Sequence, residues 1–369
     1  MTWTDRPAKI SAKIPLNRAR QGPRRRPGPL RGPGSRFRPG PGVQPWPCHE
    51  PGYLPLLPAS GERRQRWHRA AGTALVMATL AGGPATAGAQ DLQAVAGRAP
   101  SEGQRVVLVT GSTGGLGREV ARRLAAAGDH VIVHGRDMDR GSDLVAEIQE
   151  EGRGSARFYV ADLGSFDEVR ALARAVQRDY RRLDVLVNTA GIWLEGPRRL
   201  SADGHELHFQ VNYLSGFLLT RELLPLLEAT GQARIVNVSS GAQRPIDFDD
   251  VMLETGYSDT RAYAQSKLAQ VMFTFDLATE LEGTGVIVNA LHPATMMDTD
   301  MVLDRGAQTR ASVHDGAEAV MHLIDGSGLG SGGYFNQTTP ARANAQAYDA
   351  EARTRLRALS EKLTGVSGS

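Results

Sequence analysis

From residue 104 onward the apolar positions fall into a repeating order. A continuous apolar run at 105–110 is followed at 116–127 by apolar residues three and four apart, and the alternation returns as a run at 131–133, helical spacing at 139–151, a run at 156–160 and helical spacing at 166–180. Further runs at 185–188, 235–239 and 286–291 are separated by helical patterns at about 203–228 and 261–282. Short runs with no polar alternation read as strands buried on both faces, and the helical stretches between them supply the crossovers that parallel strands need. The pattern predicts an α/β fold, a single doubly wound parallel sheet with helices on both faces. No repeat of 20 to 50 residues competes with it.

Upstream the pattern is different. Thirteen of the 20 prolines precede Ala59, among many glycines and arginines and without apolar periodicity, so residues 1–62 read as a disordered arm or as upstream sequence outside the true start. Residues 63–89 carry four arginines (Arg63, Arg64, Arg66, Arg69), then an uncharged, mildly apolar run at 70–81, then small residues up to Gln90. That is the order of a secretory signal and points to export; the Arg63-Arg64 pair suggests the twin-arginine route, and a cytoplasmic address follows instead if the start codon lies further on. The run is too short and too rich in Ala and Gly for an integral membrane span. Residues 90–103 read as a linker, and 104–369 as the folded domain.

Charge follows the same division. Residues 1–69 hold 15 Lys and Arg against three acids, a balance of +12, whereas the remainder holds 28 bases against 37 acids, a balance of −9. The part able to fold is therefore acidic, with no basic stripe for nucleic acid. The single cysteine, Cys48, lies upstream, which excludes disulfides, a zinc-thiolate centre and a cysteine nucleophile from the domain.

Two stretches carry chemistry. After the first strand, Thr110, Gly111, Ser112, Thr113, Gly114, Gly115, Leu116 and Gly117 open directly into a helix. Glycines there allow a tight turn and close approach of a pyrophosphate, whose charge the helix N-terminus stabilises, as in a Rossmann-type dinucleotide site. The second is Tyr263 and Lys267, four apart on a helix in a chain with only four lysines. An ammonium beside a phenol favours the phenolate and makes Tyr263 a candidate general acid/base. His205 and His208 lack the spacing and companions of a metal site, and no Gly-x-Ser-x-Gly elbow suggests a hydrolase.

With both stretches in place, residues 104–364 resemble the short-chain dehydrogenase/reductase family. Asp162-Leu163 resembles its adenine-contacting pair, and Asn188, Thr189, Ala190 and Gly191 its Asn-Asn-Ala-Gly motif with threonine second. Asn212 resembles the helix asparagine that supports a water beside the lysine, and Ser240 the active-site serine. The resemblance implies an NAD(P)-dependent oxidoreductase that interconverts an alcohol and a ketone or aldehyde, with Ser240, Tyr263, Lys267 and Asn212 as its catalytic set. It also implies cofactor contacts from the glycine turn, Asp162, Leu163, Asn188, Ala190, Gly191, Tyr263, Lys267, Pro293 and Thr295. At the end of the second strand, His134-Gly135-Arg136 has glycine where NAD enzymes place a carboxylate and then an arginine suited to a 2′-phosphate. NADP(H) is therefore expected; Asp137, read as a helix cap, leaves NAD(H) open. The 23-residue interval from Ser240 to Tyr263, the insert at 244–250, the His292-Pro293-Ala294-Thr295 turn, Gly332 to Phe335 and a helix at 341–363 resemble the retinol-dehydrogenase-like branch, related bacterial oxidoreductases included. A retinoid is not thereby implied, because pocket walls lie in variable loops. The expected partner is a small apolar carbonyl compound or alcohol, and a homo-oligomer stays open. So do a non-catalytic NADP-binding sensor and a specialised keto-acyl reductase.

Overall fold

A computed structural model describes residues 92–366. The arm at 1–62, the signal-like segment at 63–89 and Cys48 lie outside these residues.

Among the described residues nine strands form one sheet: β1 (Ala96–Gly97), β2 (Val106–Val109), β3 (His130–Gly135), β4 (Ser155–Val160), β5 (Val185–Asn188), β6 (Arg234–Val238), β7 (Ile287–His292), β8 (Gly333–Asn336) and β9 (Thr339–Pro340). Their order is β1-β4-β3-β2-β5-β6-β7-β8-β9, with β2 to β8 parallel and the two-residue edge strands antiparallel. The chain steps outward from β2 to β4, then returns to the other flank of β2 through β5. That reversal opens a crevice at the carboxyl ends of β2 and β5. The expected parallel body is present. The stretch at 90–103 expected to be a linker is in part sheet, since Ala96 and Gly97 pair with Phe158 and Arg157 and cover the β4 edge.

Helices α1 (Gly115–Ala126) and α2 (Met138–Glu151) cover one face together with α8 (Val313–Asp325), and α3 (Phe166–Asp179), α5 (Ser215–Thr230) and α6 (Asp259–Glu280) cover the other. Val107, Val109, Val131 and Val133 point to the first layer, Leu108 and Ile132 to the second, all fully buried. This two-sided burial is why the strands lack polar alternation.

Local signals set the helix ends. Asp137, Ser165 and Ser258 cap α2, α3 and α6 by accepting from backbone N–H groups of the first turn. The helix expected from 203 starts at Leu207, where the Glu206 carboxylate caps the short α4 (Leu207–Phe209). It then passes through a π-helical turn, Gln210–Leu214, into α5. The helix expected over 341–363 is shorter, because Asp349 accepts from the N–H groups of Glu351 and Ala352 and starts α9 at Ala350–Thr364, behind a 3-10 turn at Ala345–Tyr348. Sequence reasoning missed α8, although Ser312 and Asp315 form a reciprocal capping box ahead of its apolar stripe. A short α7 (Asp300–Leu303) precedes it. Among the described residues no helix is long and apolar enough to cross a membrane.

Candidate active site

A cavity of about 500 Å³ opens at the carboxyl ends of the strands, and most of the residues singled out by sequence meet there.

One end is the glycine turn. Gly111 has a φ of +66°, and a Cβ on it would lie 2.9 Å from Ala190 Cα; one on Gly117 would lie 2.4 Å from the Gly111 carbonyl oxygen. Only glycine lets the turn, α1 and the β5 loop approach so closely. Gly114, the N-cap of α1, offers no side chain to the first N–H groups, and the first turn has no acid. Those uncapped donors line the cavity with Thr113, Gly115, Leu116 and Gly117, a cradle suited to a phosphate anion. The residues present thus fit a dinucleotide.

The turn is braced from behind by Thr110, Ser112 and Asn188, which do not line the cavity, and by His134, which does. Thr110 Oγ1 accepts from the N–H groups of Thr189 (3.0 Å) and Ala190 (3.1 Å), and Ser112 Oγ donates to Val109 O (2.8 Å) while accepting from His134 N (3.0 Å). Asn188 donates to Thr220 Oγ1 (3.1 Å) and Asn237 Oδ1 (2.9 Å) inside the core. These three were expected as cofactor contacts; instead their short side chains are consumed in joining strand ends. His134, missed by sequence, accepts from Gly111 N at 3.2 Å through Nδ1 and meets Ala161 O at 3.2 Å through Nε2. Burial pushes it down to about 4, so it stays neutral, and the acceptor role of Nδ1 places the proton on Nε2.

Near the end of β3, Arg136 is exposed on the lip, with Nη1 3.7 Å from the Asp162 carboxylate. Both line the cavity, as does Leu163. Gly135 is glycine for a local reason as well, since a Cβ there would fall 2.4 Å from Thr113 Cγ2. Arg140 is a second cation not foreseen: its Nη1 lies 3.4 Å from where a Gly114 Cβ would be, and pairs with Asp300 at 2.9 Å. Asp137 spends its carboxylate on capping α2, accepting from Arg140 N at 3.0 Å.

At the other end, α6 carries Tyr263 and Lys267 into the cavity one turn apart. The Tyr263 phenol is raised by burial, an effect that the neighbouring Ser240 hydroxyl only partly opposes. Lys267 is buried, donates to Val238 O (2.9 Å) and Gln270 Oε1 (3.0 Å), and is pushed down by burial to about 7. The expected depression of the phenol by the ammonium is therefore corrected: Nζ is drawn 5.7 Å from the ring centroid by its own acceptors, and desolvation dominates both groups. Asn212, expected to support a water beside the lysine, also makes protein contacts of its own. From the π turn its Oδ1 accepts from Ile192 N at 2.7 Å and its Nδ2 donates to Ile192 O (3.0 Å) and Ser266 Oγ (2.9 Å), so the side chain clamps the loop after Gly191 and does not line the cavity. Ala190, Gly191, Pro293 and Thr295 do line it, and Thr295 Oγ1 contacts His292 Nε2 at 2.9 Å.

Sequence reasoning also missed Trp193, whose ring stacks on Tyr263 with centroids 5.0 Å apart. Its neighbours in the wall include Ile192, Val211, Met296, Met297, Met301 and Val302.

The family model for short chain dehydrogenases matches residues 105–310, spanning the glycine turn, Ser240, Tyr263 and Lys267. The chain belongs to the short-chain dehydrogenase/reductase family. Human retinol dehydrogenase 12 is 34% identical over 276 residues, covering 71% of this chain and 87% of that one. Mouse polyprenol dehydrogenase is 37% identical over 291 residues, covering 73% and 86%. These relatives place it in the retinol-dehydrogenase-like branch. Among solved structures, a short chain dehydrogenase from Escherichia coli complexed with NADPH is 27% identical, with a TM-score of 0.53 over 63% of this chain and 96% of that one. This short-chain dehydrogenase/reductase is accordingly an NAD(P)-dependent oxidoreductase.

Proposed function

We propose that the enzyme interconverts an apolar alcohol and its aldehyde or ketone, preferring NADP(H), with Tyr263 as proton donor and acceptor and Ser240 and Lys267 beside it. The observation that carries this reading is that Tyr263, Ser240 and Lys267 line the same cavity as the uncapped glycine turn. The nicotinamide, when bound, supplies the hydride to the carbonyl carbon in one direction and takes it back in the other. In the reducing direction the Tyr263 hydroxyl passes its proton to the carbonyl oxygen as the C=O bond becomes an alcohol, while the Ser240 hydroxyl donates to the same oxygen as charge develops. The proton returns to Tyr263 from solvent. Lys267, at about 7, carries its charge in part of the molecules at neutrality.

Preference for NADP(H) is supported by Arg136 and Arg140 flanking the turn and by the use of Asp137 as a cap, which keeps its carboxylate from a ribose 2′-hydroxyl. The apolar wall supports an apolar substrate, as do two relatives named for apolar alcohols. Tyr263→Phe tests the assignment. It should bind NADPH like the unsubstituted enzyme and lose at least about 100-fold in kcat. Retention of more than a few per cent of turnover would show that another group moves the proton.

A further inference from the structure

The loop between β7 and α8 closes on itself at its base, where Met297 bridges to Ala311 and Arg310 N donates to Met296 O at 2.9 Å. Met296 has a φ of +52°, a left-handed conformation uncommon in a residue with a side chain, so backbone strain sits at this hinge. From 298 to 310 the loop is mostly exposed. Val302 is its one buried residue, and the other inward anchor is Arg305, whose side chain is only 15% accessible. Met301 and Val302 line the cavity, so the loop forms part of the wall around the substrate end.

Arg305 has an unusual set of partners for a surface arginine. Its guanidinium carbon lies 3.8 Å from the centroid of the Trp193 ring, one nitrogen donates to Asp259 at 2.9 Å, and the Glu195 carboxylate is 3.3 Å away. Burial alone would raise the Asp259 carboxyl, but the Arg305 contact and backbone donation hold it below its ordinary value. Asp259 begins the helix that carries Tyr263, and Trp193 stacks on Tyr263 at an interplanar angle of 22°. One side chain of the loop thus grips two elements of the reactive end.

Trp193 is a fixed platform for that grip. Asn212 holds Ile192 on one side of it, and on the other the Leu194 N–H donates to His208 Nε2 at 3.0 Å. His208 is anchored in turn by the Glu206 carboxylate, 2.8 Å from Nδ1, and both residues are buried. A pinned ring with a guanidinium on its face favours one position of the loop, because cation–π attraction and the planar fork both depend on geometry.

We infer that Arg305 is a positioning residue: clasped on Trp193 and Asp259, it holds the 298–310 loop down over the substrate end and so sets how tightly a carbonyl compound is kept against Tyr263. The inference rests on the proposed function, which assigns that end of the cavity to the substrate. It goes further in giving the wall a latch made of a cation on an indole.

The test uses the full chain with Trp3, Trp46 and Trp67 changed to Phe, which leaves Trp193 as the sole indole reporter. Arg305→Met should raise acrylamide quenching of Trp193 at least about twofold and raise KM for decanal about tenfold. Kd for NADPH should stay within about twofold, because Arg305 itself contacts Trp193, Asp259 and Glu195 and no residue of the glycine turn. Arg305→Lys, which keeps the charge but loses the planar fork, should recover part of the loss, and Asp259→Asn should reproduce part of it. Unchanged quenching and KM in Arg305→Met would overturn the inference. So would a parallel loss of kcat, KM and NADPH affinity, the mark of general destabilisation. If the unsubstituted enzyme binds NADPH yet reduces no decanal, the substrate reading fails separately, and the quenching of Arg305→Met against Arg305→Lys alone decides the latch.

Discussion

Asn212 offers a direct measure of how the reactive end is held. Its side chain is buried and makes three hydrogen bonds, two of them to the N–H and C=O of a single residue, Ile192. Truncation in Asn212→Ala leaves those two backbone groups without their partner. A buried polar group left unsatisfied costs about 1 to 3 kcal/mol. Ile192 is half-buried, so water can replace part of the loss, and the low end for each group, about 2 kcal/mol together, is the reasonable figure. This energy resists local opening of the 191–194 loop and converts to about a 30-fold rise in exchange of the Ile192 amide hydrogen. The nearby Ala190 amide, held by Thr110 Oγ1, provides an internal control and should change by less than about threefold. Amide exchange read by NMR or mass spectrometry requires no substrate. Turnover should fall as well, because Trp193 sits in the released segment and stacks on Tyr263. An Ile192 amide that exchanges within about twofold of the unsubstituted enzyme would refute the clamp, and so would acceleration of every amide alike, since that marks global unfolding.

Lys267 leads to a pH prediction. Burial places its folded value near 7, below the ordinary lysine value of 10.5, so between these limits the unfolded chain binds more protons and stability rises with pH. Lys267→Met should flatten that rise in Tm between pH 7 and about 10, and an equal slope in both proteins would show that the ammonium is not desolvated as described. For the cofactor, Arg136→Asp should weaken NADPH and strengthen NADH, shifting their affinity ratio by about 5- to 150-fold, the equivalent of about 1 to 3 kcal/mol for a charge-assisted contact. Isothermal titration with both nucleotides measures it, and an unchanged ratio would remove Arg136 from the 2′-phosphate site.

The amino-acid sequence determined the sheet's parallel body, because strands buried on both faces must be apolar throughout and that requirement is written locally at 105–110, 131–133 and 185–188. It also determined the glycine turn and the Tyr263/Lys267 pair, since a tight turn into a helix and an i,i+4 pairing are short-range facts. The capping box of α8, Ser312 with Asp315, is equally local. Side-chain direction required the tertiary structure. Thr110, Ser112 and Asn188 are adjacent in sequence to cavity residues, yet the pleat and their polar partners turn them into the frame. The electrostatics of Tyr263 and Lys267 likewise depended on the depth of burial, which spacing does not encode. Arg140 meets Asp300 across 160 positions and Arg305 meets Trp193 across 112, and contacts of that separation exist only once the sheet has ordered the loops at its carboxyl edge. Local sequence sets backbone periodicity within a few residues; which distant charges and rings then meet is decided by the packing of the elements, where each side chain's energy depends on neighbours the sequence does not place beside it.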